Sequence, residues 1–497
     1  MLQLTAEGSR VSTGVAGLDQ ILGGGLVREG FYLLQGDPGA GKTTVALQFL
    51  LAGVAHGERG LYITLTETRN DLTRACRSRG WPIEDIEICD LTRSDFSVGR
   101  DSQYVMFQPS EVEFGETARQ ILTEVERHNP ARVVFDGLSE LRLLAPDPLR
   151  YRRQLLSMKS FFESRHMTVL LLDDCTSLDG HLDPESLAGG NIVLEKYLPG
   201  YGGARRRLHV TKVRSAEFMD GYHDYDITRE GVVVHPRLVA SEHHLPFEAA
   251  ELTSGISNLD RMLQGGLAYG TTTLFLGPAG AGKSTVAMQY VVSALKSDIQ
   301  AAIFTFDEVL ATLFSRSEKL VADGIRSYVA SGQLHAKQVN PAALSPGGFA
   351  QQVRALVESG TRVIVIDSLN GYLSAMPDER FLTTHLHELF AYLNQKGVVT
   401  ILVVAQHGLV MPGIAEIDVS YLADSVLLLR YFESNAQIHQ AISVFKKRTG
   451  SHERTLRKLT ITTDGLRIGE PLAGFHGVMT GVPQYGDHKS TEPAGER

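Results

Sequence analysis

The sequence predicts an α/β protein built from two similar domains, each a mainly parallel sheet flanked by helices. Two stretches carry this prediction, because each contains an apolar run, a glycine-rich loop and a helical pattern in that order. The loops read GDPGAGKTT, from Gly36 to Thr44, and GPAGAGKST, from Gly277 to Thr285. A strand that leads through a tight loop into a helix is typical of parallel α/β units.

Both loops match the P-loop pattern GxxxxGK[ST], which binds nucleotide phosphates. Glycines let backbone N–H groups surround phosphate oxygens, and the helix that follows adds the positive end of its dipole. We expect Lys42 and Lys283 to reach the β/γ-phosphates, and Thr43 and Ser284 to ligate Mg²⁺. The predicted nucleotide-binding residues are Gly36, Asp37, Pro38, Gly39, Ala40, Gly41, Lys42, Thr43 and Thr44, and Gly277, Pro278, Ala279, Gly280, Ala281, Gly282, Lys283, Ser284 and Thr285.

The two loops belong to an internal repeat. The second lysine follows the first by 241 positions, since 283 − 42 = 241. The same offset pairs Gly14 with Gly255, Leu18 with Leu259, Asp19 with Asp260, and Thr66-Glu67 with Asp307-Glu308. Chance does not align several separated features on one offset. We therefore predict two domains, over residues 1–240 and 241–475, followed by a disordered polar tail over residues 476–497.

The composition restricts the class of protein. The chain is 43% hydrophobic and carries a formal net charge of −9, values typical of a globular protein without a broad basic surface. Binding to nucleic acid is therefore disfavoured, although a local basic groove stays open. The N-terminus has no apolar signal core, and no apolar run reaches the length of a membrane span. These features predict a cytoplasmic protein without a membrane segment.

Acidic residues follow the second apolar strand of each half. Leu61 to Leu65 ends at Thr66-Glu67, and the corresponding strand ends at Asp307-Glu308. Ligands of parallel α/β sheets bind at the carboxyl ends of strands, where a carboxylate can activate the attacking water. Glu67, Asp307 and Glu308 are therefore catalytic candidates. A cluster that caps the next helix is the alternative.

In each half, two further predicted strands lead to polar positions. An apolar strand runs into Asp136 in the first half and into Asp367 in the second, which is the Walker B pattern for the Mg²⁺ shell. The next strands end at Asp173-Asp174 and at Ala405-Gln406. Polar groups there either sense the γ-phosphate or cap the following helix.

Each half closes with strand-like alternation that carries basic residues. Lys212 and Arg214 follow a run of three arginines in the first half, and Lys446 and Arg448 flank Lys447 in the second. Charged residues of this kind also protect a solvated sheet edge from aggregation.

With these motifs in place, the chain resembles the KaiC family of tandem RecA-like ATPases, and its non-clock branch in particular. The resemblance covers nearly the whole chain except the tail. It rests on STGVAGLD, TSGISNLD, TFDE, IDSLNG and KKRTGSH. It implies RecA-like folds, Mg-ATP at subunit interfaces and a homo-hexameric double ring.

The resemblance also implies roles for single residues. Asp307 would activate the nucleophile, and the family's autophosphorylated pair falls on Ser420-Tyr421. Residues that reach a neighbouring subunit's nucleotide would be Lys446, Arg448 and His452 in the second half, and Lys212 and Arg214 in the first. The chain departs from the family pattern at Thr66, Phe218, Tyr421 and Gln440. These departures argue against strong hydrolysis in the first half and against a clock-like phosphorylation cycle.

The leading functional hypothesis is an ATP-hydrolysing regulatory switch of the KaiC type, with serine/threonine autokinase activity in the second half. One alternative is a RecA-like ATPase that handles DNA, and another is a scaffold ring assembled by ATP. ATP and Mg²⁺ are the expected cofactors in each case. The regulatory or signalling partners of such a switch are not named by any motif.

Overall fold

The computed structural model describes residues 10–92, 109–145, 147–174, 184–199, 202–239, 247–318, 324–340, 344–374, 382–406, 420–434, 436–462, 465–473, 475–476 and 484–485. For residues 109–116, 420, 475–476 and 484–485 this description covers the backbone alone. The chain divides into two compact units, Met1–Arg237 and Leu238–Arg497. We call them the first and second domain.

The first domain contains eleven strands and six α-helices within the described residues. In chain order they are β1 Arg10–Val11, α1 Ala16–Ile21, β2 Leu26–Val27, β3 Phe31–Gly36, α2 Lys42–Ala55, β4 Gly60–Thr64, α3 Arg69–Arg79, β5 Ile86–Asp90, α4 Pro109–His128, β6 Arg132–Asp136, α5 Leu138–Leu144, α6 Pro148–Glu163, β7 Thr168–Asp173, β8 Gly190–Tyr197, β9 Arg205–Val213, β10 His223–Thr228 and β11 Gly231–His235.

The second domain repeats this order, except that two helices stand where the first domain has α3. Its elements are β12 Glu251–Leu252, α7 Ser257–Leu263, β13 Leu267–Ala268, β14 Thr272–Gly277, α8 Lys283–Lys296, β15 Ala301–Thr305, α9 Leu310–Ser317, α10 Ile325–Ala330, β16 Leu334–Gln338, α11 Pro346–Glu358, β17 Val363–Asp367, α12 Leu369–Ser374, α13 Leu382–Gln395, β18 Val399–Ala405, β19 Ser425–Ser434, β20 Gln437–Lys447, β21 Arg457–Thr462 and β22 Gly465–Pro471. In the predicted tail region, β23 Phe475–His476 pairs with β24 Gln484–Tyr485.

Each domain is organised around one nine-stranded sheet. The first has the order β5-β4-β6-β7-β3-β8-β9-β10-β11, and the second has β16-β15-β17-β18-β14-β19-β20-β21-β22. In the first sheet, the six strands β5, β4, β6, β7, β3 and β8 pair in parallel. Strands β8, β9, β10 and β11 pair in antiparallel fashion. The predicted fold class, two α/β domains with mainly parallel sheets, is confirmed.

The strand that precedes each P-loop lies in the middle of its sheet. In β3, Tyr32 and Leu34 pack on one face with α2, while Phe31 and Leu33 pack on the other with α5 and α6. A strand buried on both faces is expected to be largely apolar, as the first four residues of β3 are. The P-loop therefore starts from a buried central strand.

Arg132 is the charged residue that joins β6 to the start of the first domain. Its side chain is only 2% exposed, and its Nε donates to Glu58 Oε2 at 2.5 Å. Its Nη1 donates to the carbonyls of Ser12 and Phe49 at 2.6 and 2.8 Å. Burial alone would raise the pKa of Glu58, but hydrogen bonds from Arg28 and Arg132 outweigh it and hold that pKa below its ordinary value.

We predict that Arg132→Ala lowers the free energy of unfolding by about 2–4 kcal/mol, because it removes a buried charge that donates to Glu58 Oε2 and to two carbonyls. Arg362→Ala is the matched control, since Arg362 precedes the corresponding strand β17 and is exposed. We expect the control to change stability by less than about 0.5 kcal/mol. Urea titrations of the full chain measure both variants, and equal effects would contradict the prediction.

The same pair has a defined pH dependence. The folded-state pKa of Glu58 lies below its unfolded value, so its stabilising effect is present above the unfolded pKa and lost as the pH falls through the folded pKa. The destabilisation by Arg132→Ala should therefore shrink in that acidic window.

Among the described residues, no helix is both long and apolar enough to cross a membrane.

Candidate active sites at the two P-loops

Each P-loop turns sharply between its strand and its helix. Gly41 and Gly282 precede α2 and α8 with φ angles of 109° and 99°, in the left-handed region that side chains rarely adopt. Lys42 and Lys283 are the first residues of the two helices. The predicted strand, loop and helix are therefore present in this order at both sites.

The lysine of each loop bends back onto the loop's own carbonyl groups. Lys283 Nζ donates to the carbonyls of Gly277 and Pro278 at 2.9 and 2.7 Å. Lys42 Nζ donates to the carbonyl of Gly36 at 2.5 Å and to that of Asp37 at 3.3 Å. Burial lowers the pKa of Lys283, and Asp367 offsets this in part. A phosphate at this point would supply the negative charge that the buried ammonium lacks.

The Walker B carboxylates lie where the sequence predicted, at the carboxyl ends of β6 and β17. Burial raises the pKa of both Asp136 and Asp367. In the second site the main offset is a hydrogen bond from Ser284 to Asp367. The structure thus brings the two predicted Mg²⁺ ligands of this site together.

The first site adds a donor that the sequence analysis did not foresee. Tyr62 lies in the middle of β4, is fully buried, and donates its hydroxyl to Asp136 Oδ2 at 2.5 Å. Burial raises the pKa of Tyr62 far above its ordinary value, so the hydroxyl keeps its proton. Thr66 also hydrogen-bonds to Asp136. The residue that corresponds to Tyr62 in β15 is Ile303, which has no hydroxyl.

Glu67 faces the metal-ligating side of the first P-loop. Thr43 Oγ1 donates to Glu67 Oε1 at 3.3 Å, and the buried Thr64 hydroxyl accepts from the N–H of Glu67 at 2.9 Å. Burial raises the pKa of Glu67, and the nearby Asp136 raises it further. Thr43, Glu67 and Asp136 form a set of oxygen atoms of the kind that Mg²⁺ prefers.

The two carboxylates of the second site have separate partners. Ser368 Oγ donates to Asp307 Oδ2 at 2.5 Å, and the N–H of Gly371 donates to Ser368 Oγ at 3.1 Å. A Cβ atom on residue 371 would lie 2.6 Å from Asp307 Oδ1 and 2.7 Å from Phe306 Cβ, so a side chain there would displace Asp307 or its neighbour. Glu308 instead forms an ion pair with Arg316 at 2.9 Å. Asp307 is exposed, whereas Glu308 is half-buried.

The end of β7 also reaches the first P-loop. Asp174 Oδ1 lies 2.7 Å from Lys42 Nζ, with the Asp174 side chain 39% exposed. The adjacent Asp173 is buried and accepts hydrogen bonds from Ser139 and Arg142. The sequence analysis treated this pair as a γ-phosphate sensor or a helix cap. The structure adds a direct contact with the P-loop lysine.

Comparison with known proteins agrees with this geometry. The model of the family described as "ATPase: KaiC" matches residues 11–239 and again residues 252–473. The chain belongs to the KaiC family. The two matches confirm the resemblance seen in the sequence, and the two domains are RecA-like ATPase domains of this family.

Several curated KaiC-family proteins resemble the chain over almost its whole length. A circadian clock protein KaiC3 of Synechocystis sp. is 22% identical, over 96% of this chain and 95% of the relative. Circadian clock oscillator proteins KaiC are 24% identical in Acaryochloris marina, over 96% of this chain and 92% of the relative, and 23% identical in Thermostichus vulcanus, over 97% and 93%. Membership of the family indicates ATP as the nucleotide of the two P-loops.

The cations that the KaiC resemblance assigned to the nucleotide lie at the opposite edge of the sheet. In the second domain, Lys447 pairs with Ser425, which pairs with Thr273. Gly277, where the P-loop begins, is four residues further along the strand, or about 13 Å. Lys446 and Arg448 therefore cannot reach the P-loop of their own domain.

Local partners hold these cations at that edge. Lys446 Nζ donates to the carbonyl of Ala423 at 2.7 Å, and Arg448 pairs with Asp424 at 3.4 Å. Lys212 and Arg214 donate to the carbonyls of Glu185 and Ser186 in the first domain, at 2.6 and 3.0 Å. His452 follows β20 and is half-buried. These partners of Lys212, Arg214, Lys446 and Arg448 all lie at this edge of the sheet.

Ser420 lies at this same edge. It begins a 3-10 turn, Ser420–Leu422, that leads into β19. The carbonyl of Tyr421 accepts from Arg448 Nη2 at 3.5 Å. The structure thus separates Ser420 from Asp307, which lies beyond the carboxyl end of β15.

The functional contacts that sequence reasoning missed have little local signal. Tyr62 sits inside an apolar strand and resembles a core residue. Ser368 directly follows the Walker B aspartate, and that adjacency was the one available clue. Arg316 lies in the last turn of α9 and Asp174 follows β7, and many surface residues at such positions have the same appearance.

Proposed function

We propose that the chain is a Mg²⁺-dependent ATPase that acts as a regulatory switch, with hydrolysis concentrated in the second domain. The observation that carries this proposal is the arrangement of Asp307. Ser368, which follows β17, donates to one of its oxygens at the carboxyl edge of the sheet, where the P-loop also begins. The first domain has Thr66 at the corresponding position, and Thr66 hydrogen-bonds to the Walker B aspartate instead.

The second site contains the groups that hydrolysis needs. Lys283 binds the β/γ-phosphates, and Ser284 with Asp367 holds the metal ion. Mg²⁺, when bound, neutralises part of the phosphate charge. Ser368 orients Asp307 so that its other oxygen accepts the proton of the attacking water. The water oxygen bonds to the γ-phosphorus while the β–γ bridging bond breaks, and ADP and phosphate are the products.

The first site is built more for binding than for turnover. Asp136 already accepts hydrogen bonds from Tyr62 and Thr66. Glu67 is the remaining carboxylate beside the metal-ligating hydroxyl, and burial favours its protonated form. Its hydroxyl donor is Thr43, the residue that would ligate Mg²⁺, so Glu67 is directed at the metal side of the site and is not held by a separate hydroxyl as Asp307 is.

We predict that Asp307→Asn lowers steady-state ATP turnover by about 100-fold, the usual scale for loss of a positioned base. Nucleotide stoichiometry should stay at two per chain in this variant, and should fall to one in Lys42→Ala or Lys283→Ala. Glu67→Gln is the matched control in the first site and should retain most turnover. The reverse result, with Glu67→Gln inactive and Asp307→Asn active, would assign hydrolysis to the first domain.

The same assay tests the alternative that the chain is a scaffold ring assembled by ATP. If the parent binds two nucleotides per chain and assembles but does not turn ATP over, the chain is a scaffold held together by ATP.

We further propose a homo-hexameric ring in which each nucleotide lies between subunits. The position of Lys446 and Arg448 supports this arrangement, because they lie at the edge of the sheet away from their own P-loop. In a ring, that edge would face the carboxyl edge of the neighbour's sheet. The cations would then stabilise charge on the neighbour's phosphates, as arginine fingers do.

We predict that Lys283→Ala and Arg448→Ala subunits, each with little activity alone, regain part of it when mixed. A mixed interface can combine an intact P-loop from one subunit with an intact Arg448 from the next. A mixture of Lys283→Ala with Asp307→Asn is the control. Both residues lie at the P-loop edge of one subunit, so no interface in this mixture contains an intact Lys283 together with an intact Asp307. Recovery in neither mixture, with subunit exchange verified by mass, would contradict sharing between subunits.

Autokinase activity is a second candidate function, favoured by the place of Ser420 in the chain next to Tyr421, whose carbonyl accepts from Arg448. If Arg448 reaches the neighbour's phosphates, the Ser420 backbone lies at the same interface. The hydroxyl oxygen of Ser420 would attack the γ-phosphorus, its proton would pass to the neighbour's Asp307, and ADP would leave.

We predict that incubation with γ-labelled ATP labels Ser420, and that Ser420→Ala or Asp307→Asn abolishes the label. Ser434→Ala, at the far end of β19, is the control and should be labelled normally. Peptide mapping identifies the modified residue. An unlabelled parent chain that still hydrolyses ATP would exclude the autokinase and leave the ATPase switch.

A further inference from the structure

The ammonium group of Lys42 already has an acceptor for each of its three hydrogens. Lys42 Nζ donates to the carbonyls of Gly36 and Asp37 and is paired with Asp174 Oδ1 at 2.7 Å. A lysine has three donors and no more. Lys283 has two carbonyl acceptors within the described part of the second domain. The two P-loop lysines therefore differ by one anionic partner.

The fold aims Asp174 at this lysine. Asp173 is 3% exposed and accepts from Arg142 Nη2 at 2.9 Å and from Ser139 Oγ at 2.9 Å. The same Ser139 hydroxyl accepts from the N–H of Asp174 at 3.3 Å. These bonds from α5 fix the end of β7. The carboxylate of Asp174 is thereby held beside the P-loop.

Strand register identifies the counterpart of Asp174 in the second domain. Asp136 pairs with Leu172 in the first sheet, and Asp367 pairs with Val403 in the second. Counting two residues onward from each partner leads to Asp174 and to Ala405. The pairing of the P-loop strands agrees, because Gly277 is opposite Ala405. The second domain thus has a methyl group where the first has a carboxylate.

The Asp174 carboxylate would affect the binding of nucleoside diphosphates and triphosphates differently. A P-loop lysine contacts the β- and γ-phosphates. A diphosphate leaves the γ position empty, so Lys42 can bind the β-phosphate and keep Asp174 as a partner. A triphosphate places negative charge where Asp174 lies, and like charges at such short range repel each other.

We propose that Asp174 is a specificity-determining residue that makes the first site favour nucleoside diphosphate over triphosphate, relative to the second site. This inference rests on the proposed function, in which both P-loops bind nucleotide. It gives the two sites different nucleotide preferences from one substitution in a duplicated fold. The first domain would hold ADP while the second binds and hydrolyses ATP.

The test measures the dissociation constants of Mg-ADP and of a non-hydrolysable Mg-ATP analogue by calorimetry. The Lys283→Ala background isolates the first site. There, Asp174→Ala and Asp174→Asn should tighten binding of the triphosphate analogue by about tenfold or more, while binding of ADP changes by less than about threefold. Asp85→Asn removes the same charge from an exposed turn and is the control, with no change expected.

The reciprocal substitution keeps the test decisive if the first variants fold poorly. In the Lys42→Ala background, Ala405→Asp should weaken the triphosphate analogue relative to ADP by a similar factor. An unchanged ratio of the two dissociation constants in either background would overturn the inference while the two-site proposal stands. If the first site of the Lys283→Ala protein binds neither nucleotide, the two-site proposal itself fails.

Discussion

The positive charge of the P-loop lysine requires hydrogen-bond acceptors inside the tight loop. In both domains these acceptors include carbonyl groups of the loop itself. In the second domain, Lys283 is held by two carbonyl groups and loses part of its hydration, which lowers its pKa. Such a site is incomplete until phosphate oxygens arrive. In the first domain, Asp174 supplies an anion from the neighbouring strand. Lys42 therefore has an anionic partner within its own domain, whereas the partners of Lys283 described here are neutral carbonyl groups.

The direction of the strands sets the second constraint. Parallel strands bring the P-loop, the Walker B aspartate and the candidate catalytic carboxylates to one edge of each sheet. The antiparallel hairpin that follows returns the chain to the other edge, where Lys446 and Arg448 lie. No side chain spans the length of a strand. In the proposed ring, a complete site would combine the P-loop edge of one subunit with the cationic edge of the next, and assembly and chemistry would be linked.

Duplication gave the two domains the same sheet order, and a few substitutions separate their chemistry. Tyr62 and Thr66 engage Asp136 in the first site, whereas Ile303 and Asp307 occupy the corresponding positions in the second. The counterpart of Ser368 in the first domain is Gly137. The first domain therefore has no hydroxyl at the position from which Ser368 donates to Asp307 in the second. Each change alters one hydrogen bond and leaves the packing of the sheet intact. These differences support the proposal that one site stores nucleotide while the other consumes it.

The sequence by itself determined the two P-loops, the Walker B aspartates, the repeat and the fold class. These features are local: Gly41 and Lys42 act within one turn, and the apolar strand before Asp136 is read from consecutive residues. The contacts that distinguish the sites are long-range. Tyr62 meets Asp136 across 74 positions, and Asp174 meets Lys42 across 132, since 174 − 42 = 132. Only the strand order brings these residues together, because β6 and β7 lie between β4 and β3 in the sheet. The same order decided that Arg448 and Ser420 lie away from their own P-loop, which no spacing in the sequence could show.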